Sequence, residues 1–390
     1  MRVSGQSTNS DEILAGGVEG RPPAVFVTSD IFSAKAFGSN HPLSTGRQSA
    51  VVDLCRCFGW LDHADTVAHA PIAPVADVLR FHEAHYVEAL RAACEAGVVS
   101  PDARRRYNIG TLECPLFPGL FDRARSTVGG AMVAARTALE GSIAFFPAGG
   151  THHGLRDRAS GFCYFNDPVF AVLELLAGGA RRVAYVDFDA HHGDGVEIAF
   201  GGDERVRLVS LHETGRWPGT GTLDDTCAGR ALNIPLPRGI RDREYRMIVE
   251  KVVLPFLRRA DADAAVIVMG ADGLKGDPLS AMELSNSLVW EMVDAVTTLL
   301  PRSVVLGGGG YNPWTTARLW AGYWGRISGR TMPVGLNEEA RAILGALDSH
   351  LIEDEDRDPA WTTRLVDPED ERPVRDEVER LCVGLLRRLT

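Results

Sequence analysis

The sequence predicts an α/β protein in which helices cover both faces of a mainly parallel β-sheet. Short apolar runs alternate with longer segments of helical periodicity along the 390 residues, which is the pattern of βαβ units. The short runs are apolar throughout their length, as expected for strands that are buried on both faces. No internal repeat or low-complexity linker interrupts this pattern, so we interpret residues 23–335 as one domain.

Six apolar runs predict the strands, in order, at residues 23–29, 142–148, 181–189, 205–212, 264–272 and 303–310. Helices are predicted between them. The segment after Leu120 has helical spacing up to Gly141, and a second helix begins at Asn166 or Asp167 and ends at Gly178. A third helix carries an apolar stripe formed by Leu288, Met292, Val293, Val296 and Leu299.

The two ends of the chain differ from this central domain. Residues 1–22 are polar and lack the features of a secretory signal, which predicts a flexible leader. Residues 336–390 are charged and partly helical, and we expect them to form an appendage packed on the domain.

Composition limits the function classes. The chain has 52 acidic and 41 basic residues and a net charge of −11, which disfavours direct binding of nucleic acid. No apolar run is long enough to span a bilayer. The seven cysteines are an odd set without zinc-ribbon spacing, which favours a reducing, cytoplasmic location. The sequence leaves an oligomer open.

Titratable residues follow several predicted strands at their carboxyl ends, where open parallel sheets bind ligands. Asp189 and His191 are two positions apart, and Asp272 ends another strand. One imidazole and two carboxylates can hold a divalent ion and leave a position for water. A single such Asp is often a helix cap, and a single His is often a core residue. Three of them converging on one sheet edge favour a metal site.

Further polar residues surround this predicted metal site. His152 and His153 follow a Gly-Gly turn, and each needs an acceptor that fixes its tautomer, which Asp187 and Asp194 can supply. Tyr311 follows four glycines, whose backbone can pass close to a ligand because it carries no side chains. The Tyr311 hydroxyl could then project inward and donate to an oxyanion. A phosphate-binding loop is the alternative for these glycines, but no Lys-Ser/Thr pair follows them.

The motifs HPLSTGR, GGTHHGLRDRASGFCYFND, YVDFDAHHGDGVEIAF, RWPGTG, GADGLKGDP and LGGGGYN occur in this order between about residues 24 and 325. Together they resemble the zinc-dependent histone deacetylase family, including its bacterial acetoin-utilisation and deacetylase-like members. The resemblance implies the three-layer arginase/deacetylase fold and a deacetylase catalytic domain at 23–335. It also implies an amide hydrolase that converts an N-acetyl amide to amine and acetate with one zinc ion per chain.

The resemblance also implies roles for individual residues. The zinc ligands would be Asp189, His191 and Asp272. His153 would be the general base and acid acting on a zinc-activated water, with Asp194 as its partner, and His152 would be backed by Asp187. Tyr311 would polarise the acetyl carbonyl. Substrate and product would contact Phe162, Gly161, Trp217, Leu279, Glu113 and Arg47. Structural K⁺ or Na⁺ would bind at Asp187, Asp189, His191, Ser210 and Leu211, and at Phe200, Asp203 and Val206.

Three residues depart from the family pattern and bear on the substrate. Glu113 stands where the family has a rim aspartate, Thr151 replaces a bulky residue, and Trp217 stands where peptide deacetylases usually have Phe. We expect acetyl-lysine in a protein or peptide as substrate, since Leu279 is apolar where polyamine-selective relatives have an acid.

Three alternatives to an acetyl-lysine deacetylase are open on the sequence. An acetylpolyamine or other small acyl-amine amidohydrolase would use the same machinery. A two-manganese ureohydrolase is disfavoured, because apolar Leu274 stands where a second carboxylate is needed. A non-catalytic acyl-amine binding protein is disfavoured by the complete set of candidate catalytic residues.

Overall fold

An eight-stranded sheet forms the centre of the molecule, and every strand pair in it is parallel. The computed structural model describes residues 22–34, 36–38, 41–63 and 66–389, so nearly all of the predicted leader lies outside the described residues. The strands are β1 (Ala24–Thr28), β2 (Val67–His69), β3 (Ile143–Phe146), β4 (Val183–Asp187), β5 (Val206–Glu213), β6 (Ala231–Leu236), β7 (Ala264–Val268) and β8 (Ser303–Leu306). Their order across the sheet is β2-β1-β3-β8-β7-β4-β5-β6.

All six predicted strands are present, and two further strands were missed by the sequence analysis. The missed strands, β2 and β6, lie at the two edges of the sheet. β2 has only three residues, and Pro235 interrupts the apolar run of β6. A proline is tolerated there because an edge strand leaves one row of backbone groups unpaired. The predicted strands 264–272 and 303–310 extend too far, since β7 and β8 end at Val268 and Leu306.

Helices pack on both faces of the sheet. They are α1 (Arg47–Cys57), α2 (Val75–Val78), α3 (Ala84–Ala96), α4 (Pro101–Tyr107), α5 (Leu120–Leu139), α6 (Asp167–Ala177), α7 (Asp194–Phe200), α8 (Asp242–Ile248), α9 (Leu254–Ala260), α10 (Asn286–Leu299), α11 (Pro313–Ile327), α12 (Glu338–Gly345), α13 (Ala360–Thr363) and α14 (Asp376–Leu389). A π-helical segment, Val249–Val253, joins α8 to α9. Within the described ranges, none of these helices has the length and apolar character that a membrane span requires.

Alternating side chains of the strands enter two separate hydrophobic cores, and this produces three layers. In β4, Ala184 and Val186 pack into the core that contains α1, α10 and α11. Val183 and Tyr185 point to the opposite face and pack with α3, α5 and α6. Because successive residues of a strand face opposite sides of the sheet, a strand buried on both sides must be apolar throughout. This explains the continuous apolar runs in the sequence.

The predicted start of α6 is confirmed. Asn166 is the N-cap, and its side chain accepts a hydrogen bond from the backbone N–H of Val169 at 3.3 Å. Pro168 occupies the first turn, where a missing N–H costs no intrahelical bond. The helix ends at Ala177, and Gly178 is the C-cap. This cap fixes the loop that precedes α6, which carries several candidate site residues.

The C-terminal segment packs into the hydrophobic core that contains α1, α10 and α11. Its residues Leu344, Leu365 and Leu385 are buried in this core. Arg318 of α11 is 0 % exposed, donates from Nε to the carbonyl of Arg364 at 2.7 Å and pairs with Asp367. The segment after residue 336 is therefore held to the body both by apolar burial and by a buried guanidinium.

Candidate active site

The candidate site lies at the carboxyl edge of three neighbouring strands. β7 pairs with both β4 and β8, so the chain segments that leave these strands emerge side by side. The segment after β4 carries Asp189 and His191, the segment after β7 carries Asp272, and the segment after β8 carries Tyr311. Parallel pairing brings together residues that are more than 80 positions apart in the sequence, as the sequence analysis expected.

Asp189, His191 and Asp272 form a compact buried cluster. Their candidate ligand atoms all lie within 4.8 Å of one another. His191 Nδ1 lies 2.9 Å from Asp272 Oδ2 and 3.2 Å from Asp189 Oδ1. Gly309 donates its backbone N–H to Asp189 Oδ2 at 2.7 Å, and a Cβ at Gly309 would lie 2.2 Å from Asp272 Oδ2. The glycine therefore leaves the space in which both carboxylates approach each other.

The electrostatics of this cluster favour a cation. Burial and the neighbouring Asp189 carboxylate raise the pKa of Asp272 to about 6. For His191, burial lowers the pKa, but hydrogen bonds to Asp189 and Asp272 outweigh this and hold it well above its usual value. The two buried carboxylates repel each other and favour a proton on the adjacent imidazole. The same three side chains are suitable ligands for a divalent ion, whose charge would offset this repulsion. The residues therefore fit a metal ion.

Two adjacent histidines lie beside the cluster, and each has its own carboxylate. His152 Nδ1 is 2.7 Å from Asp187 Oδ2, and His153 Nδ1 is 2.7 Å from Asp194 Oδ1. The two imidazole centroids are 3.9 Å apart. Tyr185, which was not predicted as a site residue, donates its hydroxyl to the same Asp187 oxygen that His152 contacts and so helps to fix that carboxylate.

The two histidines have opposite charge preferences. Burial lowers the pKa of His152, but the Asp187 and Asp189 carboxylates outweigh burial and raise it to about 9. Burial and the nearby charge of His152 lower the pKa of His153 to about 3. His153 is therefore neutral near pH 7. Because Asp194 accepts at Nδ1, the proton of His153 lies on Nδ1, and Nε2 is a free base.

Tyr311 brings a hydrogen-bond donor to the same place. Its ring is 7 % exposed, and burial raises the pKa of its hydroxyl well above the usual value, so the hydroxyl stays protonated. Asp277 positions the residue by accepting the backbone N–H of Tyr311 at 2.7 Å and that of Asn312 at 3.2 Å. Asp277 was not predicted as a site residue, although it stands in the motif GADGLKGDP.

A tunnel of about 310 Å³ leads from the surface to these groups. Its walls include Phe162 and Trp217, and the Trp217 ring lies 4.6 Å from the His153 ring between centroids. Gly161 has a φ of +53°, and a Cβ there would lie 2.5 Å from His153 Cδ2 and 2.6 Å from Trp217. Leu279 completes the wall. The structure thus brings the predicted tunnel residues together around His153.

Glu113 lines the tunnel, but its carboxylate is directed at the protein itself. One oxygen accepts the backbone N–H of Gly161 at 2.5 Å, and the other accepts the Asn108 side chain at 2.9 Å. Arg216 also lines the tunnel and is bound to Glu213 by Nε and Nη2 at 2.7–2.9 Å. Neither Asn108 nor Arg216 was predicted as a site residue, because only the fold places Asn108 beside Glu113 and Arg216 at the tunnel.

Arg47 lines a second, inner cavity. Its guanidinium donates to the carbonyls of Gly310 at 2.5 Å and Gly308 at 3.2 Å and stacks over Trp320 at 5.0 Å from the ring centroid. The inner cavity has a volume of about 270 Å³. Thr151, one of the departures from the family pattern, lines it, and its hydroxyl oxygen lies within hydrogen-bonding distance of both the Asp167 carboxylate and the carbonyl of Phe165.

The residues of the two predicted monovalent-cation sites occupy adjoining positions. Asp187 of β4 lies in register with Ser210 of β5, directly before Leu211. In the second set, the Phe200 carbonyl accepts from Asp203 N at 2.9 Å and the Asp203 carbonyl from Val206 N at 3.1 Å. Binding of K⁺ or Na⁺ at either place stays a prediction.

An all-parallel eight-stranded sheet with helices on both faces, and a polar cluster at its carboxyl edge, defines the arginase/deacetylase fold. Two solved structures share it over nearly the whole chain. An HDAC homolog from Aquifex aeolicus matches with a TM-score of 0.89 at 31 % identity, covering 93 % of this chain and 100 % of that one. An HDAC homolog complexed with SAHA matches with a TM-score of 0.87 at 32 % identity, covering 94 % and 100 %.

The chain belongs to the histone deacetylase family. The model of the histone deacetylase domain matches residues 41–327. Histone deacetylase 6 of Arabidopsis thaliana is 37 % identical over 294 residues, which are 73 % of this chain and 62 % of the relative. Histone deacetylase 8 of Xenopus tropicalis is 35 % identical over 294 residues, 73 % of this chain and 79 % of the relative. Family membership confirms the expectation of a hydrolase that acts on linear amide bonds.

Proposed function

We propose that this protein is a zinc-dependent deacetylase that hydrolyses the N-acetyl amide of acetyl-lysine in proteins or peptides, releasing the free amine and acetate. The observation that carries the proposal is the convergence of three kinds of group on one tunnel. The tunnel is faced by the cluster of possible metal ligands, by the neutral imidazole base His153 and by the protonated phenol of Tyr311.

Asp189, His191 and Asp272 would hold the zinc ion. Nitrogen and carboxylate oxygen are both ordinary zinc ligands, and three protein ligands leave a position open for substrate. When bound, zinc acts as a Lewis acid that acidifies a water molecule and polarises a carbonyl. Leu274 is buried two positions after Asp272, and its side chain offers no oxygen to a second ion, which supports one metal per chain over the two of a ureohydrolase.

Residues of the chain would carry out the proton transfers of the hydrolysis. His153 accepts a proton at Nε2, since Asp194 holds the Nδ1 proton in place at 2.7 Å. The resulting imidazolium is stabilised by the Asp194 carboxylate and afterwards protonates the departing amine. Tyr311 donates its hydroxyl to the oxyanion that forms on the acyl group. His152, held cationic by Asp187, adds positive charge next to the same oxyanion.

The tunnel supports acetyl-lysine over an acetylpolyamine. Phe162 and Trp217 offer apolar walls to a four-carbon side chain, and Leu279 provides no charge for a distal ammonium. Glu213 is ion-paired with Arg216, and Glu113 is the one acid among the described tunnel residues. Its carboxylate already accepts hydrogen bonds from Gly161 and Asn108 and is directed at the protein rather than along the tunnel.

Turnover of matched substrates tests this proposal. We expect kcat/KM for an acetyl-lysine peptide to exceed that for N-acetylspermidine by roughly tenfold, the effect of one missing favourable ion pair in a partly buried site. Chelation should abolish both activities, and one equivalent of zinc should restore them. His153→Ala is the inactive control. A preference for acetylspermidine would reassign the substrate, and hydrolysis of neither would overturn the proposal.

Two further assignments accompany the proposed function. Structural K⁺ or Na⁺ would bind next to Asp187 and Ser210, behind the zinc ligands. A cytoplasmic location suits a chain in which all seven cysteines are free thiols.

A further inference from the structure

Leu112 is an apolar side chain that is almost fully exposed beside the substrate tunnel. Its exposed fraction is 94 %, and among the large apolar residues in the described part of the chain only Val334 is more exposed. The residue that follows it, Glu113, lines the tunnel. A single exposed apolar side chain is ordinary on a protein surface, but this one stands next to the candidate active site.

Hydrogen bonds within the loop that carries Leu112 hold it in a tight turn. The backbone N–H of Gly110 donates to the carbonyl of Cys114 at 2.7 Å, and the backbone N–H of Cys114 donates to the Thr111 hydroxyl at 3.0 Å. Asn108 and Gly110 both have left-handed backbone conformations, with φ of +56° and +71°. The turn is therefore closed by its own bonds, and Leu112 stands on its solvent side.

The same loop is bonded to the wall of the tunnel. The Glu113 carboxylate accepts the backbone N–H of Gly161 at 2.5 Å, and Asn108 donates its side-chain amide to the carbonyl of Ala159 at 3.2 Å. These bonds fix the backbone of Leu112 relative to the tunnel. A side chain on a fixed backbone loses less conformational entropy when it makes a contact, so Leu112 is preorganised to bind a group at this place.

The exposed part of the tunnel wall is apolar as well. Trp217 lines the tunnel and is 45 % exposed, and Leu279 is a further apolar lining residue. The charged side chains of the tunnel are bonded to the protein: Arg216 is ion-paired with Glu213, and the Glu113 carboxylate already accepts two hydrogen bonds. An apolar group of the substrate is therefore the partner that suits these surroundings.

We propose that Leu112 is a specificity-determining residue that contacts an apolar side chain next to the acetyl-lysine of the substrate. This inference rests on the proposed function, because an acetyl-lysine peptide would insert its modified side chain into the tunnel and leave the neighbouring residues at the entrance. The substrate class that fits is a peptide or protein segment with an apolar residue directly before or after the acetyl-lysine.

Steady-state kinetics of the zinc-loaded protein with three substrates tests the proposal. One peptide has leucine on both sides of the acetyl-lysine, a second has serine there, and the third substrate is acetyl-lysine alone with both ends blocked. We expect kcat/KM for the leucine peptide to exceed that for the serine peptide roughly tenfold, or about 1.4 kcal/mol, the effect of partly burying leucine side chains. Leu112→Ser should remove most of this preference by raising KM for the leucine peptide, and blocked acetyl-lysine should be unaffected.

Two variants serve as matched controls. Val334→Ser removes an apolar side chain that is also fully exposed but does not line the tunnel, so the preference for the leucine peptide should persist. Leu112→Met keeps an apolar side chain of similar size and should retain the preference as well. An unchanged preference in Leu112→Ser, or an equal loss in Val334→Ser, would overturn the proposal. Equal losses on all three substrates in Leu112→Ser would also refute a role in specificity.

The proposed function and the role of Leu112 fail in different ways. If the wild-type protein hydrolyses the leucine and serine peptides equally well, the deacetylase function stands and the role of Leu112 is refuted. If none of the three substrates is hydrolysed, the proposed function is refuted, and the role of Leu112 falls with it.

Discussion

Replacing Tyr311 with Phe removes a single hydroxyl and leaves the rest of the site in place. Asp277 holds the backbone N–H of Tyr311, and the ring packs against Phe162 at 5.8 Å and His191 at 6.3 Å between centroids. Phe preserves these contacts. Within the described residues, the Tyr311 hydroxyl donates to no protein group, so its loss should cost the folded state little. The energetic effect must then appear in the transition state, where the hydroxyl meets the oxyanion.

Loss of one oxyanion donor costs roughly 10²–10³ in kcat, or about 2.7–4 kcal/mol. We therefore expect Tyr311→Phe to lower kcat on an acetyl-lysine peptide at least 100-fold, with KM, melting temperature and zinc content close to those of the wild type. Steady-state kinetics, a thermal melt and metal analysis on the same preparation measure all four quantities. Unchanged kcat with full zinc occupancy would refute the role of Tyr311, and loss of zinc would show that the variant had disturbed the cluster instead.

Three further outcomes follow from the structure. Asp194→Asn should lower kcat/KM roughly 10- to 100-fold with zinc retained, since His153 loses the acceptor that sets its tautomer; normal activity would mean that another group orients the ring. Trp217→Ala should raise KM for acetyl-lysine peptides roughly tenfold with little change in melting temperature, because this ring is a 45 % exposed tunnel wall. Burial acts to raise the pKa of Glu244, but hydrogen bonds from arginines outweigh burial and lower this pKa from 4.5 to about 2. The stabilisation this depressed pKa provides is complete above pH 4.5 and lost as the pH falls towards 2. Glu244→Gln should therefore flatten the stability profile in that window, and an unaltered acid transition would contradict the assignment.

The central sheet and the metal cluster were predictable because their signals are local in the sequence. Continuous apolar runs mark strands buried on both faces, and Asp189, His191 and Asp272 directly follow two of them. The edge strands β2 and β6 escaped prediction, since edge strands can be short and can contain proline. The carboxyl ends of β7 and β8 were predicted several residues too late. The loops that follow these strands and carry the site are as apolar and glycine-rich as the strand ends themselves.

The remaining site residues depend on tertiary packing. Asp277 acts through backbone N–H groups, which carry no sequence signal. Glu113 was recognised by its motif, but its carboxylate is held by Asn108 of the same loop and by the backbone of Gly161, which is 48 positions away in the sequence.

Titration of metal-free protein with zinc tests the account most directly. Hydrolysis of an acetyl-lysine peptide should rise in proportion to added zinc and reach its plateau at one equivalent per chain, and Asp272→Ala should bind zinc far more weakly and stay inactive. A plateau at two equivalents, or full activity without any metal, would contradict a single ion held by Asp189, His191 and Asp272.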